Sequence, residues 1–362
     1  MRELGGDRRR RILAAVEARG EARVTDLAAE LEVSVVTVRR DVEDLAREGR
    51  LRRGHGVAKS LVPRATTQPA VEAGGGAVAL VVPERHAYLN EAVHGARSAL
   101  EEAGMRVILH IAPRAEGGAE HSIVERALAD DVRGLLIAPR WRTVESEEAD
   151  YRWIAGVRVP TVVMERRPRP GSVLHATDSV CTDHWYGVHL AVDHLISLGH
   201  KRIVLAARDD SPTARALRAA FAEIVASRPE IEEHAVLLSA PDAGPDQDVP
   251  AEEQPELAEL VRERGFTGAV LHGDVDALML VERLAEAGLQ VPRDCSVVAY
   301  DDVVAALGST PLTAIAPPKA EVGRVAAELL IRRLTGGAQA SRRPQRIQLM
   351  PELKVRGSTK LI

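Results

Sequence analysis

Cysteine is nearly absent from this sequence, and long apolar runs are absent altogether. Cys181 and Cys295 are the only cysteines among 362 residues. They provide no disulfide framework and no metal-binding pair, as is typical of a reducing compartment. No apolar run approaches the roughly 20 residues that cross a bilayer, and the charged start of the chain lacks the apolar segment of a signal peptide. We therefore expect a cytoplasmic protein.

Motifs for catalysis are missing as well. The sequence has no Gly-x-Ser-x-Gly elbow, no Walker loop, no zinc-ligand spacing and no paired catalytic carboxylates. His184, His189 and His194 follow each other at five-residue intervals, which turns each by about 140° from the last on a helix, so they do not share a metal-binding face. We expect no enzyme activity, no catalytic residue, no metal and no cofactor.

What the sequence does contain is an asymmetric charge distribution. The first sixty residues hold fourteen Lys and Arg and eleven Asp and Glu, a net charge of +3, whereas the remainder carries −8. A chain of 362 residues exceeds the usual size of one domain, so two or three compact units are expected. A basic segment joined to an acidic body fits a nucleic-acid-binding module attached to a sensor.

The basic segment has the pattern of three short helices and a hairpin. Residues 11–19 show helical spacing, a second helix opens near Val24, and Ser34 is suited to cap a third helix. One face of that third helix is apolar, formed by Val35, Val38, Val42 and Leu45. The glycine-rich stretch 48–57 then predicts two strands with a turn between them, a basic wing.

An exposed helix with arginines near its start is the geometry that enters the major groove of DNA. Arg40 is the first candidate for a base contact, because its planar guanidinium can donate two bonds to guanine. The hydroxyl of Thr37 suits a phosphate better, and Arg39 suits either. The candidate DNA-binding residues of the helix and the wing are Ser34, Val36, Thr37, Arg39, Arg40, Arg47, Arg52 and Arg53.

Three stretches, at 11–13, 33–41 and 49–53, resemble the DeoR-type winged helix-turn-helix over about residues 8–58. The wing departs from that family, since His55-Gly56-Val57-Ala58 stands where His-Gly-Gly-Ala is usual. We assign residues 1–58 to a DNA-binding domain and residues 59–76, which contain prolines and glycines without a sustained period, to a linker. A winged helix that contacts protein instead of DNA is the alternative.

Beyond residue 76, apolar runs alternate with helical stretches. The runs predict buried parallel strands at 77–82, 107–111, 134–138, 159–164, 202–206, 268–271 and 295–299. The helical stretches include 89–103, 186–198, 212–226 and 276–287. This alternation predicts an α/β fold with doubly wound parallel sheets, whose ligands bind beyond the carboxyl ends of the strands.

The stretches 178–203, 288–302 and 311–315 resemble the LacI/GalR sensor domain, and this resemblance covers residues 77–357. It implies two periplasmic-binding-protein-like (type I) lobes joined by three crossovers. It also implies a sugar or nucleoside held between the lobes, and a dimer whose DNA affinity changes when they open or close. We expect lobe 1 at about 77–177 and 317–337, and lobe 2 at about 178–316 and 338–357.

The resemblance also implies effector-binding residues. The family's carboxylates fall on Glu165 and Asp301, and either Tyr88 or Trp185 could cover an apolar sugar face. Two positions depart: Leu217 replaces a ligand-binding arginine, for which Arg215 or Arg218 could substitute, and Gly273 replaces an asparagine before Asp274. The candidate effector-binding residues are Tyr88, Glu165, Trp185, Arg215, Asp274 and Asp301.

Structural roles are open for three of these carboxylates. Asp301 could cap the next helix, and Asp274 could cap the helix at 276–287. Glu165 could be solvated or paired with Arg166. Asp302 is expected to be structural.

The overall prediction is a transcriptional regulator, a repressor by default, that binds double-stranded operator DNA as a homodimer and responds to a sugar. It would associate with the nucleoid when bound to DNA. An orphan regulator without a ligand is the alternative, and a sugar-processing enzyme is less favoured.

Overall fold

The structure is a computed structural model. It describes residues 8–9, 11–13, 15–16, 21–31, 33–47, 51–54, 57–60, 76–84, 87–113, 119–239, 256–336 and 343–362. The chain divides into two compact units, Met1–Ala73 and Gly74–Ile362. In the described ranges, no helix has the length and apolar character needed to cross a membrane.

The first unit combines helices with a small antiparallel sheet. Residues 8–9, 11–13 and 15–16 are helical, followed by β1 (Glu21–Arg23), α1 (Val24–Glu30), α2 (Val35–Arg47), β2 (Leu51–Gly54) and β3 (Val57–Ser60). The strands lie in the order β1-β3-β2. A core of fully buried side chains joins the three helical stretches, among them Ile12, Leu27, Val38 and Leu45. The predicted winged helix-turn-helix architecture is confirmed.

The second unit contains two lobes, each built on a six-stranded sheet. The strands of lobe 1 are β4 (Ala77–Pro83), β5 (Arg106–Ala112), β6 (Val132–Ile137), β7 (Thr161–Met164), β8 (Asp178–Thr182) and β14 (Arg346–Leu349). They are all parallel, in the order β14-β8-β7-β6-β4-β5. The helices of this lobe are α3 (Ala87–Glu102), α4 (Ala119–Ala129), α5 (Val144–Ala155) and α10 (Lys319–Thr335).

Lobe 2 repeats this architecture with one reversed edge strand. Its strands are β9 (Arg202–Ala206), β10 (Glu233–Leu237), β11 (Gly268–Leu271), β12 (Ser296–Tyr300), β13 (Thr313–Ala316) and β15 (Glu352–Lys354). They lie in the order β10-β9-β11-β12-β13-β15, with β15 antiparallel to β13. Its helices are α6 (His184–Ser197), α7 (Pro212–Ala226), α8 (Leu257–Arg264) and α9 (Asp274–Glu286). The predicted pair of doubly wound sheets is confirmed.

Helices cover both faces of each sheet. In β4, Val78 and Leu80 belong to one hydrophobic cluster, whereas Ala79 and Val81 belong to another on the opposite face. Lobe 2 has a corresponding pair of clusters. Because both faces are buried, the strands are continuous apolar runs, which is why the sequence alone revealed most of them.

The predicted lobe boundaries are wrong in two places. The stretch 178–182, assigned to lobe 2, is β8, and it pairs with β7 and β14 in lobe 1. Residues 346–349, also assigned to lobe 2, form β14 in the same sheet. The chain therefore crosses between lobes after β8, after β13 and after β14.

The polar residues of β8 explain why it escaped detection as a strand. Its first residue, Asp178, is buried and accepts hydrogen bonds from the guanidinium of Arg333 at 2.6 and 2.8 Å and from the backbone N–H of Gln345 at 2.7 Å. A paired carboxylate can occupy a buried strand, but it interrupts the apolar pattern by which such strands are recognised. These same contacts tie β8 to α10 and to the segment that leads into β14.

Two domain boundaries also move. The wing continues to Ser60 at the end of β3, so the predicted limit at residue 58 is too early. Only residues 61–75 of the predicted linker remain, and they lie outside the described residues. At the other end, the buried hydroxyl of Ser358 donates to the Val297 carbonyl at 2.6 Å, so lobe 2 continues past residue 357.

The helices α3 and α10 approach each other more closely than side chains would allow. A Cβ atom added at Gly323 would lie 1.9 Å from the backbone oxygen of Ala92, and one added at Gly95 would lie 2.0 Å from that of Ala320. Because the obstructing atoms belong to the backbone, no side-chain rotation relieves the overlap. Glycine at these two positions therefore sets the distance between the helices.

We expect Gly323→Ala to lower the free energy of unfolding of the second unit by about 1–3 kcal/mol, the usual cost of overpacking a core. Chemical denaturation of the full chain measures it. Gly357→Ala is the matched control, because a Cβ there meets nothing nearer than 3.8 Å. Equal stability of the two variants would contradict the close helix contact.

Candidate functional site

The outward face of α2 is the candidate nucleic-acid interface. Ser34 precedes the helix, and its hydroxyl oxygen accepts the backbone N–H of Thr37 at 3.1 Å, so Ser34 caps α2 as predicted. The Ser34 and Thr37 hydroxyls are also hydrogen-bonded to each other at 2.8 Å. Val36 is 75% exposed, and Arg39 and Arg40 are exposed beside it. The inner face is buried at Val38, Val42 and Leu45, although Val35 at the helix start is 38% exposed.

An internal ion pair holds α2 against the first helical stretch. The Arg8 Nε atom donates to the carboxylate of Asp41 at 2.5 Å, and that carboxylate is almost fully buried. Arg39 and Arg40 are exposed and make no hydrogen bond or ion pair with another described residue, so they are available for an external partner. Of the other candidates, Arg47 ends α2 and Arg52 and Arg53 lie in β2, but their side chains lie outside the described part of the structure.

A cavity of about 530 Å³ opens between the two lobes of the second unit. From lobe 1 its lining includes Pro83, Glu84, Tyr88, Arg140, Arg142 and Arg166. From lobe 2 it includes Arg208, Asp210, His272, Asp274, Asp276 and Asp301. Most of these residues follow the carboxyl end of a parallel strand, which is where ligands of such sheets bind. A volume of this size accommodates a small molecule.

Tyr88 and Glu165 form one hydrogen-bonded group at the lobe 1 side. Tyr88 lines the cavity, and its hydroxyl donates to the Glu165 carboxylate at 2.9 Å. The Thr182 hydroxyl lies 3.4 Å from the same carboxylate oxygen. Glu165 itself is 2% exposed and is connected to the cavity through Tyr88. Burial raises the pKa of the Glu165 carboxyl above its ordinary value. The structure brings these two predicted residues together.

Asp301 faces the cavity directly from the end of β12. Burial, with a further contribution from the neighbouring Asp274 carboxylate, raises the pKa of Asp301 to about 7. Its backbone has a φ of +101°, and Glu165 has a φ of +55°. Such values are uncommon for residues other than glycine, and they cluster at functional sites, where the surrounding structure maintains them.

Asp274 and Asp302 have structural roles. Asp274 lines the cavity, but its Oδ2 atom accepts the backbone N–H groups of residues 303, 304 and 305, the last at 3.0 Å. It thus caps the turn after β12; the N-cap of its own helix α9 is Gly273. Asp302 pairs with Lys354 at 3.0 Å and with Arg356 at 2.7 Å, in agreement with the structural role predicted for it.

Two of the predicted effector contacts are wrong in position. Trp185 is 43% exposed and stacks on His189, and it does not line the cavity. Arg215 does not line it either: its guanidinium crosses to lobe 1 and donates to the Glu147 carboxylate at 2.9 Å and to the Trp141 carbonyl at 3.1 Å. The first turn of α7 directs Arg215 at the other lobe, a contact that helical spacing alone does not reveal.

Neither Leu217 nor Arg218 replaces the ligand-binding arginine that the LacI/GalR resemblance implies. Leu217 is completely buried in a hydrophobic cluster of lobe 2. Arg218 donates to the carbonyl of Arg208 at 3.1 Å and to those of Ala207 and Leu237. The guanidinium groups that do line the cavity come from other positions.

Sequence reasoning missed these lining arginines, namely Arg140, Arg142, Arg166 and Arg208. A usable signal existed, because Arg140, Arg166 and Arg208 each follow the last residue of a parallel strand by two or three positions. Arg208 is already paired: it donates to both carboxylate oxygens of Asp276, at 2.6 and 2.8 Å. The other three belong to lobe 1.

The histidines of α6 have separate partners, as their spacing predicted. His184 contacts the hydroxyl of Tyr300 at 3.1 Å, and His194 contacts that of Thr359 at 3.0 Å, while His189 stacks on Trp185. Burial lowers the pKa of His184 to about 3, so it is neutral near pH 7. These contacts account for all three rings as packing residues of lobe 2.

Comparison with known families identifies both parts of the chain. A model of a DeoR-like helix-turn-helix domain matches residues 8–64. A model of a periplasmic binding protein-like domain matches residues 192–359. The two resemblances inferred from sequence motifs are thereby confirmed, as is their combination in one chain.

Individual relatives are transcriptional repressors. The repressor PurR of Haemophilus influenzae is 32% identical over 209 residues, which are 56% of this chain but only 58% of PurR, little more than half of its length. The ribose operon repressor of Escherichia coli K12 is 30% identical over 298 residues, 77% of this chain and 80% of that repressor. A solved structure of the lac repressor dimer bound to operator and an anti-inducer covers 78% of this chain and 94% of its own, with a TM-score of 0.62. At 22% identity, that likeness shows the fold alone.

The raised pKa of Asp301 predicts a pH dependence of stability. Between its ordinary value of 3.8 and about 7, the folded chain holds a proton that the unfolded chain has lost, so this carboxyl makes stability fall as pH rises. We expect the melting temperature of the native protein to decline, relative to that of Asp301→Asn, between about pH 4 and pH 7. Scanning calorimetry with Asp130→Asn, an exposed control, tests this. Parallel curves for the native protein and Asp301→Asn would refute it.

Proposed function

The chain belongs to the LacI family of transcriptional regulators, and on that premise we propose that it is a repressor whose operator affinity is controlled by a small polyhydroxy effector. The observation that carries the proposal is the cavity between the lobes, which brings Asp301 and the Tyr88–Glu165 pair to one opening. Carboxylate and phenol oxygens are suited to accept and donate hydrogen bonds with adjacent hydroxyl groups. A sugar is the effector class that fits these groups.

The DNA-binding half of the proposal rests on α2. Arg39 and Arg40 are exposed on the face opposite the core, next to Val36. We assign Arg40 to a guanine contact, Arg39 to a base or phosphate, and Ser34, Thr37, Arg47, Arg52 and Arg53 to the DNA backbone. The partner is a two-fold symmetric operator bound by a homodimer, so that each α2 meets one half-site.

The two halves are coupled only if the effector binds one arrangement of the lobes better than the other. Contacts that cross between the lobes supply such a difference, because opening the cavity breaks them. Besides Arg215 and Glu147, the guanidinium of Arg142 in lobe 1 lies 3.6 Å from the carboxylate of Asp210 in lobe 2. An effector that bridges the lobes adds to these contacts and favours the closed arrangement.

The same assignment carries our remaining proposals. We place the protein in the cytoplasm, associated with the nucleoid when bound to DNA, and we assign it no catalytic activity. An orphan regulator is the second candidate, favoured by the burial of Leu217 where the family carries a ligand-binding arginine. An unchanged melting temperature across a broad panel of sugars and nucleosides supports that candidate.

Arg40→Ala is expected to weaken specific operator protection strongly without loss of fold. Removing a bidentate base contact costs about 1–3 kcal/mol, roughly a tenfold to hundredfold loss of affinity. Footprinting at fixed salt measures it, with circular dichroism to confirm folding. Arg106→Ala, which removes an exposed arginine from the sensor, is the matched control. Retained protection by Arg40→Ala would exclude α2 as the reading element.

The effector response is tested on the same DNA. We expect one member of a sugar panel to remove or strengthen a roughly symmetric footprint upstream of the protein's own gene or of neighbouring sugar-utilisation genes. Salt is held constant, since phosphate contacts are salt-dependent. Protection that is indifferent to every sugar would reject effector control, and protection nowhere would reject the regulator itself.

A further inference from the structure

Some of the charged side chains that line the cavity have a partner of opposite charge or a backbone N–H partner, and others do not. Asp276 is matched by Arg208, and Asp274 by three backbone N–H groups. Asp210 lies near Arg142. Asp301 interacts electrostatically with the buried ammonium group of Lys319. Each of these carboxylates thus has a cationic or N–H counterpart. The same is not true of all the arginines.

Arg140 has no such counterpart. Its side chain is half-buried at the cavity wall, and it makes neither a hydrogen bond nor an ion pair within the described ranges. Arg166 stands next to it, because the Arg166 Nε atom donates to the carbonyl of Pro139 at 2.6 Å. The Nη1 atom of Arg166 donates to the backbone carbonyl of Glu165 at 2.8 Å, which leaves Nη2 available. The Glu165 carboxylate instead accepts from Tyr88.

A third guanidinium, that of Arg215, reaches the same wall, and its charge is matched by the Glu147 carboxylate at 2.9 Å. Arg215 reaches across from lobe 2 and donates to the carbonyls of Trp141 and Arg142, in the same segment as Arg140. Burial lowers the pKa of the Arg166 guanidinium, and the nearby charge of Arg215 contributes in the same direction. Neighbouring cationic side chains with unused hydrogen-bond donors are typical of a site that binds phosphate or carboxylate oxygens.

A histidine with a buried, unpartnered ring nitrogen lines the cavity from the other lobe. His272 follows β11, lines the cavity and is only 7% exposed. Its Nδ1 atom has no hydrogen-bond partner among the described residues. Burial lowers the pKa of His272 to about 4, so the ring is neutral near pH 7 and can donate one hydrogen bond. A buried polar atom of this kind is normally satisfied by a bound molecule or by water.

We propose that the effector carries an anionic group, such as a phosphoryl or carboxylate group, bound by Arg140 and Arg166 of lobe 1. This inference rests on the proposed function and narrows its ligand class from sugars in general to acidic or phosphorylated polyhydroxy compounds. The hydroxyl-bearing end of the ligand meets Tyr88 and Asp301, and His272 contacts it from lobe 2. A neutral sugar leaves the Arg140 guanidinium unmatched.

The first experiment uses inorganic phosphate as the probe on the full-length protein. The melting temperature is measured as a function of phosphate concentration. A chloride salt without sulfate keeps the ionic strength constant. We expect a saturable rise for the native protein and for Arg283→Gln, an exposed control on α9. Arg140→Gln is expected to require at least about tenfold more phosphate, as loss of a charge-assisted hydrogen bond implies. Equal responses of the two variants, or no response of the native protein, would overturn the proposal.

The second experiment compares neutral sugars with their phosphorylated forms by calorimetric titration, using ribose with ribose 5-phosphate and glucose with glucose 6-phosphate. In at least one pair the anionic member is expected to bind about tenfold tighter or more, with Arg140→Gln reducing that preference. Neutral members that bind equally well or better in both pairs would refute the anionic subsite. Operator footprinting with whichever ligand binds is a separate readout. If a neutral sugar changes the footprint, the proposed function stands and the anionic subsite is rejected. If an anionic ligand binds tightly but leaves the footprint unchanged, the anionic subsite stands and the proposed function is rejected.

Discussion

The direction of the parallel strands is the constraint on which the sensor's chemistry depends. Parallel strands end at a common edge, and the residues that follow them are the first free to leave the apolar layers. Arg140 follows β6, Arg166 follows β7, Arg208 follows β9 and Asp301 follows β12, and all four reach one cavity. The carboxyl-end edges of the two sheets face each other, so charged side chains from distant parts of the sequence lie together in the cavity.

Burial then separates structural charges from those available to a ligand. A buried carboxylate is tolerated when it is paired, as Asp178 is with Arg333 and Asp276 with Arg208. Such pairs hold strands and loops in register, and their donors and acceptors are already used. Asp301 and Arg140 differ, because neither side chain makes a hydrogen bond in the described structure, although the ammonium of Lys319 interacts with Asp301. Their side chains therefore keep hydrogen-bonding capacity at the cavity wall.

The contacts across the cavity give the sensor its means of responding. Arg215 links α7 of lobe 2 to the buried Glu147 of lobe 1, and Arg142 faces Asp210. Three chain crossovers join the lobes covalently, and these ion pairs join them by non-covalent contacts. A ligand held by residues of both lobes acts on the equilibrium between lobe arrangements, since it favours whichever arrangement completes its contacts.

The fold follows from periodicity and motif spacing, because strands buried on both faces are apolar throughout and helices have one apolar face. The sequence was also sufficient to place Arg40 on the outward face of α2 and Asp301 after β12. It was insufficient for β8, whose Asp178 breaks the apolar run, and for Arg215, which resembles a ligand contact but serves as a link between lobes. Spacing along the chain specifies the face of a helix or strand on which a residue lies. Which partner it meets there depends on how separate elements pack, and only the tertiary structure could assign Trp185 to a stacked surface pair and Arg140 to the cavity wall.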